Sequence, residues 1–289
     1  MASTQQLKSR IRSVKSTKQI TKAMQMVAAS KMRRAQEATK SSQAYTMAAR
    51  ELLTYLAAQG ATNGHKWFTV RPVKSRLLIV IASDKGLAGA YNANILKSYV
   101  HELKSDDAAN IANKTIAVGR KIAQAATRIK DTEIVGTYED LPDHFSGAEF
   151  HAILNTAKDM FEANQVDAVD VIFTRFVSSL TQRADVVRLF PAGFTPTDNV
   201  QPDIAEARFE PSPKQIIDDI AYRLISARLF QALMDSRASE HSMRMLAMKN
   251  ATDNATDLVD ALTLEMNKAR QAAITQELTE ISAGVEAMR

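Results

Sequence analysis

Cysteine is absent from all 289 residues. That removes disulfides, thiolate nucleophiles and thiolate-bound zinc, and it suits a reducing compartment. No apolar run approaches the roughly 20 residues that span a bilayer, and no apolar signal core follows Met1. The chain therefore reads as soluble and intracellular, and the Asn-x-Thr triplets at Asn113, Asn250 and Asn254 carry no weight. Catalytic signatures are missing too. There is no His-Glu-x-x-His, no Gly-x-Ser-x-Gly and no phosphate-loop or dinucleotide glycine pattern. The five histidines lack ligand spacing, His144 and His151 being separated by a Ser-Gly turn. The adjacent carboxylates Asp106-Asp107 and Asp218-Asp219 would diverge on a helix and read as solvated surface.

Glycine and proline are scarce and unevenly placed. Neither occurs in residues 1–59 or 214–283, and five of the seven prolines (Pro191, Pro196, Pro202, Pro211, Pro213) crowd into residues 191–213. Because these two residues interrupt helices most strongly, the Ala-, Met-, Gln- and Lys-rich ends read as two very long helices. Gly60 is placed to close the first. Ser212, Pro213 and Gln215 look like the cap, first position and capping-box residue of the second. At 1.5 Å per residue these helices would run about 80–85 Å and about 105–115 Å, too long for burial in one globular core. Apolar spacing supplies the alternative. Leu7, Ile11 and Val14 begin a 4-3 seam, and Leu52, Leu53 and Leu56 close that helix. Leu262, Met266, Ala269 and Ala273 repeat the spacing, as do Ile274, Leu278, Ile281 and Val285. The seam is weak in its middle, with Ala28, Ala29 and Ser30.

The middle of the chain alternates. Residues 77–82 form a continuous apolar run, as a strand buried on both faces should. A helix is expected at 92–103, strands at 115–118 and 133–136, a helix at 147–161, and a strand pair at 169–177 and 184–190. The expected fold class is therefore mixed α+β: two terminal helices in an antiparallel coiled coil with an inserted α/β Rossmann-like domain. The divisions are 1–60, 70–200 and 211–289. The turn at 83–92, with Gly86 and Gly89, follows a strand as phosphate-binding turns do, but its sequence fits a tight βα connection better.

Acidic residues are missing before Glu37, whereas nine Lys or Arg lie between Lys8 and Arg34, an asymmetry hidden in the net charge of +5. No aromatic residue precedes Tyr45 to stack on bases. The stretch lacks the Trp, Phe and Leu face of a membrane-surface helix. Unlike a transit peptide, it runs directly into the long helix. Residues 18–32, KQITKAMQMVAASKM, closely resemble the N-terminal helix of the gamma subunit of bacterial-type F1 ATP synthase. Residues 238–249, ASEHSMRMLAMK, and 267–278, NKARQAAITQEL, are similar to that family's C-terminal motifs. The 83–92 turn is similar to its central loop, with Ala88 and Ala90 where family members often carry Cys and Gly.

The resemblance implies a non-catalytic rotor shaft with no nucleotide site, cofactor or metal. It implies partners in three alpha and three beta subunits, an epsilon subunit and the c-ring, with no nucleic acid and no bilayer insertion. The expected place is the cytoplasmic face of the bacterial inner membrane, since the motif starts within about ten residues of Met1. It also assigns Lys22, Met24, Lys31, Arg33 and Arg34 to a region facing acidic loops of beta, and Arg244, Arg270, Gln271 and Thr275 to further beta contacts. Met24, Met26, Met32, Met243, Met245 and Met248 suit an adaptable sliding surface or the coil's own core. Two other classes stay open on the residues alone: a nucleotide-binding α/β enzyme with helical extensions, and a free-standing coiled-coil or nucleic-acid scaffold.

Overall fold

A computed structural model of the chain describes residues 4–58, 60, 62–129, 132–142, 148–193 and 213–287. Ser212, His144 and the prolines at 196, 202 and 211 lie outside them. In order, the elements are α1 (Thr4–Ala58), β1 (Ser75–Ile81), α2 (Tyr91–Ala108), β2 (Ala112–Val118), α3 (Arg120–Ala126), β3 (Glu133–Tyr138), α4 (Ala148–Glu162), β4 (Ala168–Phe176), β5 (Gln182–Phe190) and α5 (Pro213–Ala287). The terminal helices are 55 and 75 residues long without interruption. Pro213 opens α5 where its missing N–H costs nothing. Gly60, at φ 76°, donates its N–H to the Ala57 carbonyl and turns the chain out of α1.

The chain falls into two compact units, residues 29–243 and residues 1–28 with 244–289. In the second, α1 and α5 pack antiparallel. Leu7 and Ile11 cluster with Leu262, bordered by Val14, Val259, Met266 and Ala269. Ten residues further along α1, the Thr21 hydroxyl lies 2.8 Å from that of Thr252, ten residues back along α5. Continuing the 4-3 spacing from Leu7 reaches buried Ile11, Thr21, Ala28, Met32, Ala35, Ala49, Leu53 and Leu56. The seam is that of a coiled coil, with small or hydroxylated residues in its middle. The spacing at Ile274, Leu278 and Ile281 behaves differently from expectation: all three are exposed. The physical reason is that Leu7, near the start of α1, already packs beside Leu262, Met266 and Ala269. No residue of α1 remains for the later turns of α5.

In the larger unit the five strands order as β3-β2-β1-β4-β5. The first four are mutually parallel and β5 is antiparallel to β4. This is the inserted Rossmann-like domain, and it explains the uninterrupted apolar run of β1. Leu77, Ile79 and Ile81 face one core, with Val171, Ile153, Phe161 and, from α5, Ala221, Ile225, Leu229 and Leu233. Leu78 and Val80 face the other, with Ile95, Tyr99 and Leu103 of α2. At the foot of the helices, Leu53 and Leu56 of α1 pack with Ile217, Ile220 and Leu224 of α5. The seven-residue α3 goes beyond the elements expected from sequence.

One of the paired carboxylates is placed differently from expectation. Asp106 is buried, because Arg76 of β1 reaches α2 and bonds both its oxygens at 3.1 Å and Glu102 at 2.8 Å. The same guanidinium bonds Asp170 at 2.5 Å, which Arg188 of β5 also holds. Burial raises the Asp106 carboxyl above its usual range, opposed by the Arg76 charge. Asp107 is exposed, and Asp218 is exposed and pairs with His65.

Candidate functional site

In a doubly wound sheet, ligands bind at the carboxyl ends of the strands where the strand order reverses. Here that point lies between β1 and β4. It is occupied by the protein itself. The turn after β1 is tied down by Asn92, whose Oδ1 accepts the Ser83 N–H at 3.1 Å. One oxygen of Asp84 accepts the N–H groups of Arg120 (3.0 Å) and Asp140 (3.1 Å), so a side-chain carboxylate fills the place where a bound anion would sit. Gly119, at φ 99°, passes so close to β1 that an added Cβ would lie 2.2 Å from the Ala82 carbonyl oxygen.

Helix α5 covers what remains. Ser236 Oγ lies 2.9 Å from the Tyr91 hydroxyl and accepts the Thr174 N–H at 3.3 Å. The Ser239 hydroxyl donates to the Thr174 carbonyl at 3.2 Å. The space left among Ile81, Asp84, Gly119, Leu233 and Ser236 is about 10 Å³, scarcely one water. The turn is the tight βα connection that its sequence suggested, and a nucleotide would have to displace α5. Beside this contact Asp235 is buried, and burial pushes its carboxyl up to about 6 despite the charge of Arg175.

A larger cavity, about 430 Å³, lies between α4 and α5 and is lined by Phe150, His151, Tyr222 and Phe230. Its polar groups engage one another: the Tyr222 hydroxyl donates to Asn155 at 3.0 Å and sits 2.9 Å from His151 Nδ1. No group of three or more metal-ligating side chains occurs among the described residues.

The residues singled out on the helices are mostly at the surface. Lys22 is exposed, its ammonium 3.3 Å from Gln25 Oε1. Met24 and Lys31 are half-buried, and Arg33 and Arg34 are exposed. Arg270, Gln271 and Thr275 are exposed on the stretch of α5 past Ala269, whereas Arg244 is buried. The methionines divide: Met32 and Met248 are buried, Met24, Met243 and Met245 are half-buried, and Met26 is exposed. Ile20 and Val27, exposed beside the basic residues, were not singled out from sequence. The signal for them is that they fall off the 4-3 seam running through Thr21 and Ala28.

Against known proteins, the model of the ATP synthase family matches residues 3–288. The ATP synthase gamma chain of Desulforamulus reducens is 38% identical over 288 residues, covering 100% of both chains. That of Staphylococcus epidermidis is 36% identical over the same span. The chain belongs to the ATP synthase gamma-chain family. It is accordingly a rotor subunit of an F-type ATP synthase and not an enzyme on its own. Solved structures agree on the fold. The rotor of the Euglena gracilis mitochondrial ATP synthase aligns with a TM-score of 0.65 at 17% identity, covering 94% of this chain and 98% of that one. A chain of the Tetrahymena thermophila central stalk and c-ring aligns at 0.61 and 23% identity, covering 80% and 99%. No described helix is long and apolar enough to cross a membrane, in keeping with a peripheral place in a membrane-associated complex.

Proposed function

We propose that the chain is the central shaft through which rotation of a membrane c-ring drives three beta catalytic sites in turn through binding, synthesis and release. One observation carries the reading: a 75-residue helix without a break, paired antiparallel with a second and ending in turns that are exposed among the described residues. A torque-bearing element needs such continuity. Its outer contacts must also form and break, which exposed ion pairs of about 0.2–1 kcal/mol each permit and interlocked apolar packing does not.

On this reading three alpha and three beta subunits surround the helices, and epsilon and the c-ring adjoin the α/β domain. The complex stands at the cytoplasmic face of a bacterial inner membrane. Lys22, Met24, Lys31, Arg33 and Arg34 meet acidic loops of beta, and Arg270, Gln271 and Thr275 make further beta contacts. Arg244, being buried, serves that surface from within. The test is ATP-driven proton pumping by membranes carrying Met24→Lys. The added cation should bind a beta carboxylate too firmly and lower pumping relative to ATP hydrolysis, and unchanged coupling would refute the assignment. Arg270→Ala with Gln271→Ala should likewise loosen the link between rotation and hydrolysis. The purified complex should contain one copy of this chain per three beta chains.

A further inference from the structure

The cavity of about 430 Å³ between α4 and α5 takes no part in the rotor role. Its volume is that of a small-molecule pocket, typically about 300–1,000 Å³, and so is its make-up of aromatic walls with a few polar atoms. Phe150 stacks on His151 at 4.3 Å between ring centres and meets Phe230 at 5.9 Å. The rings of His151 and Tyr222 lie nearly parallel, 8° apart. The two helices are fixed beneath them, since Ile153 and Leu154 of α4 share one core with Ala221, Ile225 and Leu229 of α5. The walls are therefore formed in advance of any ligand.

Beyond the bonds among Tyr222, His151 and Asn155, three polar groups of the lining are left over. The first is the Ser226 hydroxyl. The residue is 9% exposed, yet its Oγ has no hydrogen-bond partner among the described residues. Other hydroxyls of α5 behave differently: Thr252, Thr256 and Thr263 each donate to the carbonyl four residues back, at 2.8, 2.9 and 2.7 Å. A buried hydroxyl left unpaired costs about 1–3 kcal/mol, which a bound polar group would relieve. The second is His151 Nε2. Because Tyr222 gives its proton to Asn155, the 2.9 Å contact is a donation from His151 Nδ1 to the Tyr222 oxygen. Nε2 of the neutral ring is then an acceptor. The third is the Asp219 carboxylate, exposed and without an ion pair among the described residues. Arg223, the cation of the lining, is not free.

The ligand class follows from these groups. Two uncommitted acceptors beside aromatic faces, whose negative surfaces attract cations, select N–H donors on a flat apolar body. Asp219 and Ser226 are seven residues, about 10 Å, apart along α5, so one nitrogen does not serve both. A complementary molecule carries a cationic nitrogen at one end and a polar group at the other, with a ring between.

We propose that the α4–α5 cavity binds a small arylalkylamine with a ring hydroxyl, its ammonium at Asp219, its ring beside Phe150 and Tyr222, and its hydroxyl at Ser226. The site is independent of the rotor role, so the full-length chain alone suffices to test it. Tyramine is titrated into the purified chain by calorimetry, alongside phenethylamine, which lacks the hydroxyl, and 4-hydroxyphenylpropionate, which carries a carboxylate in place of the amine. Tyramine should bind with Kd below about 1 mM. Asp219→Asn should weaken it roughly threefold and Ser226→Ala roughly fivefold. Phenethylamine should bind more weakly than tyramine and be indifferent to Ser226→Ala, and the carboxylate should not bind. Asp219 is exposed and Ser226→Ala removes an unpaired hydroxyl, so both variants should fold, and unchanged Trp67 fluorescence checks this. No saturable binding of tyramine in the millimolar range, equal binding of the carboxylate, or an affinity indifferent to both substitutions overturns the proposal.

Discussion

Asp235→Asn should make the α/β domain more stable at neutral pH and leave it nearly unchanged in mild acid. Asp235 is 8% exposed and lies on the turn of α5 whose next residue, Ser236, bonds Thr174 and Tyr91. Arg175 is the cation that attracts it, and that guanidinium is already engaged by Asp185 at 2.6 Å. Burial therefore prevails and moves the carboxyl from 3.8 to about 6.

A carboxyl raised in the folded state stabilises below its unfolded value, and that contribution is lost as pH rises through about 6. Ionising Asp235 in the folded domain thus costs on the order of 2–3 kcal/mol, allowing for solvent that still reaches the group. Asparagine keeps the shape and removes the charge. Urea denaturation followed by the fluorescence of Trp67, the single tryptophan and a member of the domain core, reads this unit directly. Compared at pH 4 and pH 7.5, the variant's advantage should be near zero at the first and about 2 kcal/mol at the second. An advantage equal at both values, or a less stable variant at pH 7.5, would refute the reasoning.

Gly119→Ala should unfold the domain or weaken it by more than about 3 kcal/mol, because its Cβ meets the Ala82 carbonyl oxygen at 2.2 Å and φ is 99°; the same fluorescence assay checks it. Asp170→Ala leaves Arg76 and Arg188 without a shared partner and should cost about 3–5 kcal/mol, against less than about 1 kcal/mol for Lys114→Ala at an exposed pair. Leu278→Asp should change the stability of the isolated chain by less than about 0.5 kcal/mol, since that turn of α5 is exposed. Measured in the assembled complex, the same substitution should nonetheless impair turnover if the turn meets the stationary subunits.

What could be read from sequence divides along a physical line. The terminal helices were legible because an absence of Gly and Pro is a property of one segment alone. The strands of the domain were legible because Leu77 to Ile81 must be apolar at every position when both faces are covered. Features that need two distant segments at once were not. Asp106 looks like any solvated carboxylate until Arg76 is seen to reach it from β1. Ser236, Ser239 and Ser242 look like the polar face of a helix until β4 is laid against them. The exposed run after Ala269 shows the same limit in reverse. The heptad spacing of Ile274, Leu278 and Ile281 is real, but spacing does not say whether a partner belongs to the same chain. The short α3 lacks the length from which periodicity is judged.

The row Ser236, Ser239 and Ser242 has a mechanical meaning. Spaced by three along α5, these hydroxyls engage the Thr174 backbone and the carbonyl of Ser179, much as a key engages a slotted axle. Each bond is worth only about 0.5–1.5 kcal/mol, but they act in parallel over a rise of about 9 Å. For the helix to slip within its domain, all must break together. An apolar contact resists separation yet lets surfaces slide, whereas directional bonds to fixed backbone atoms resist shear. A domain driven from outside would therefore carry the helix round with it rather than turn about it.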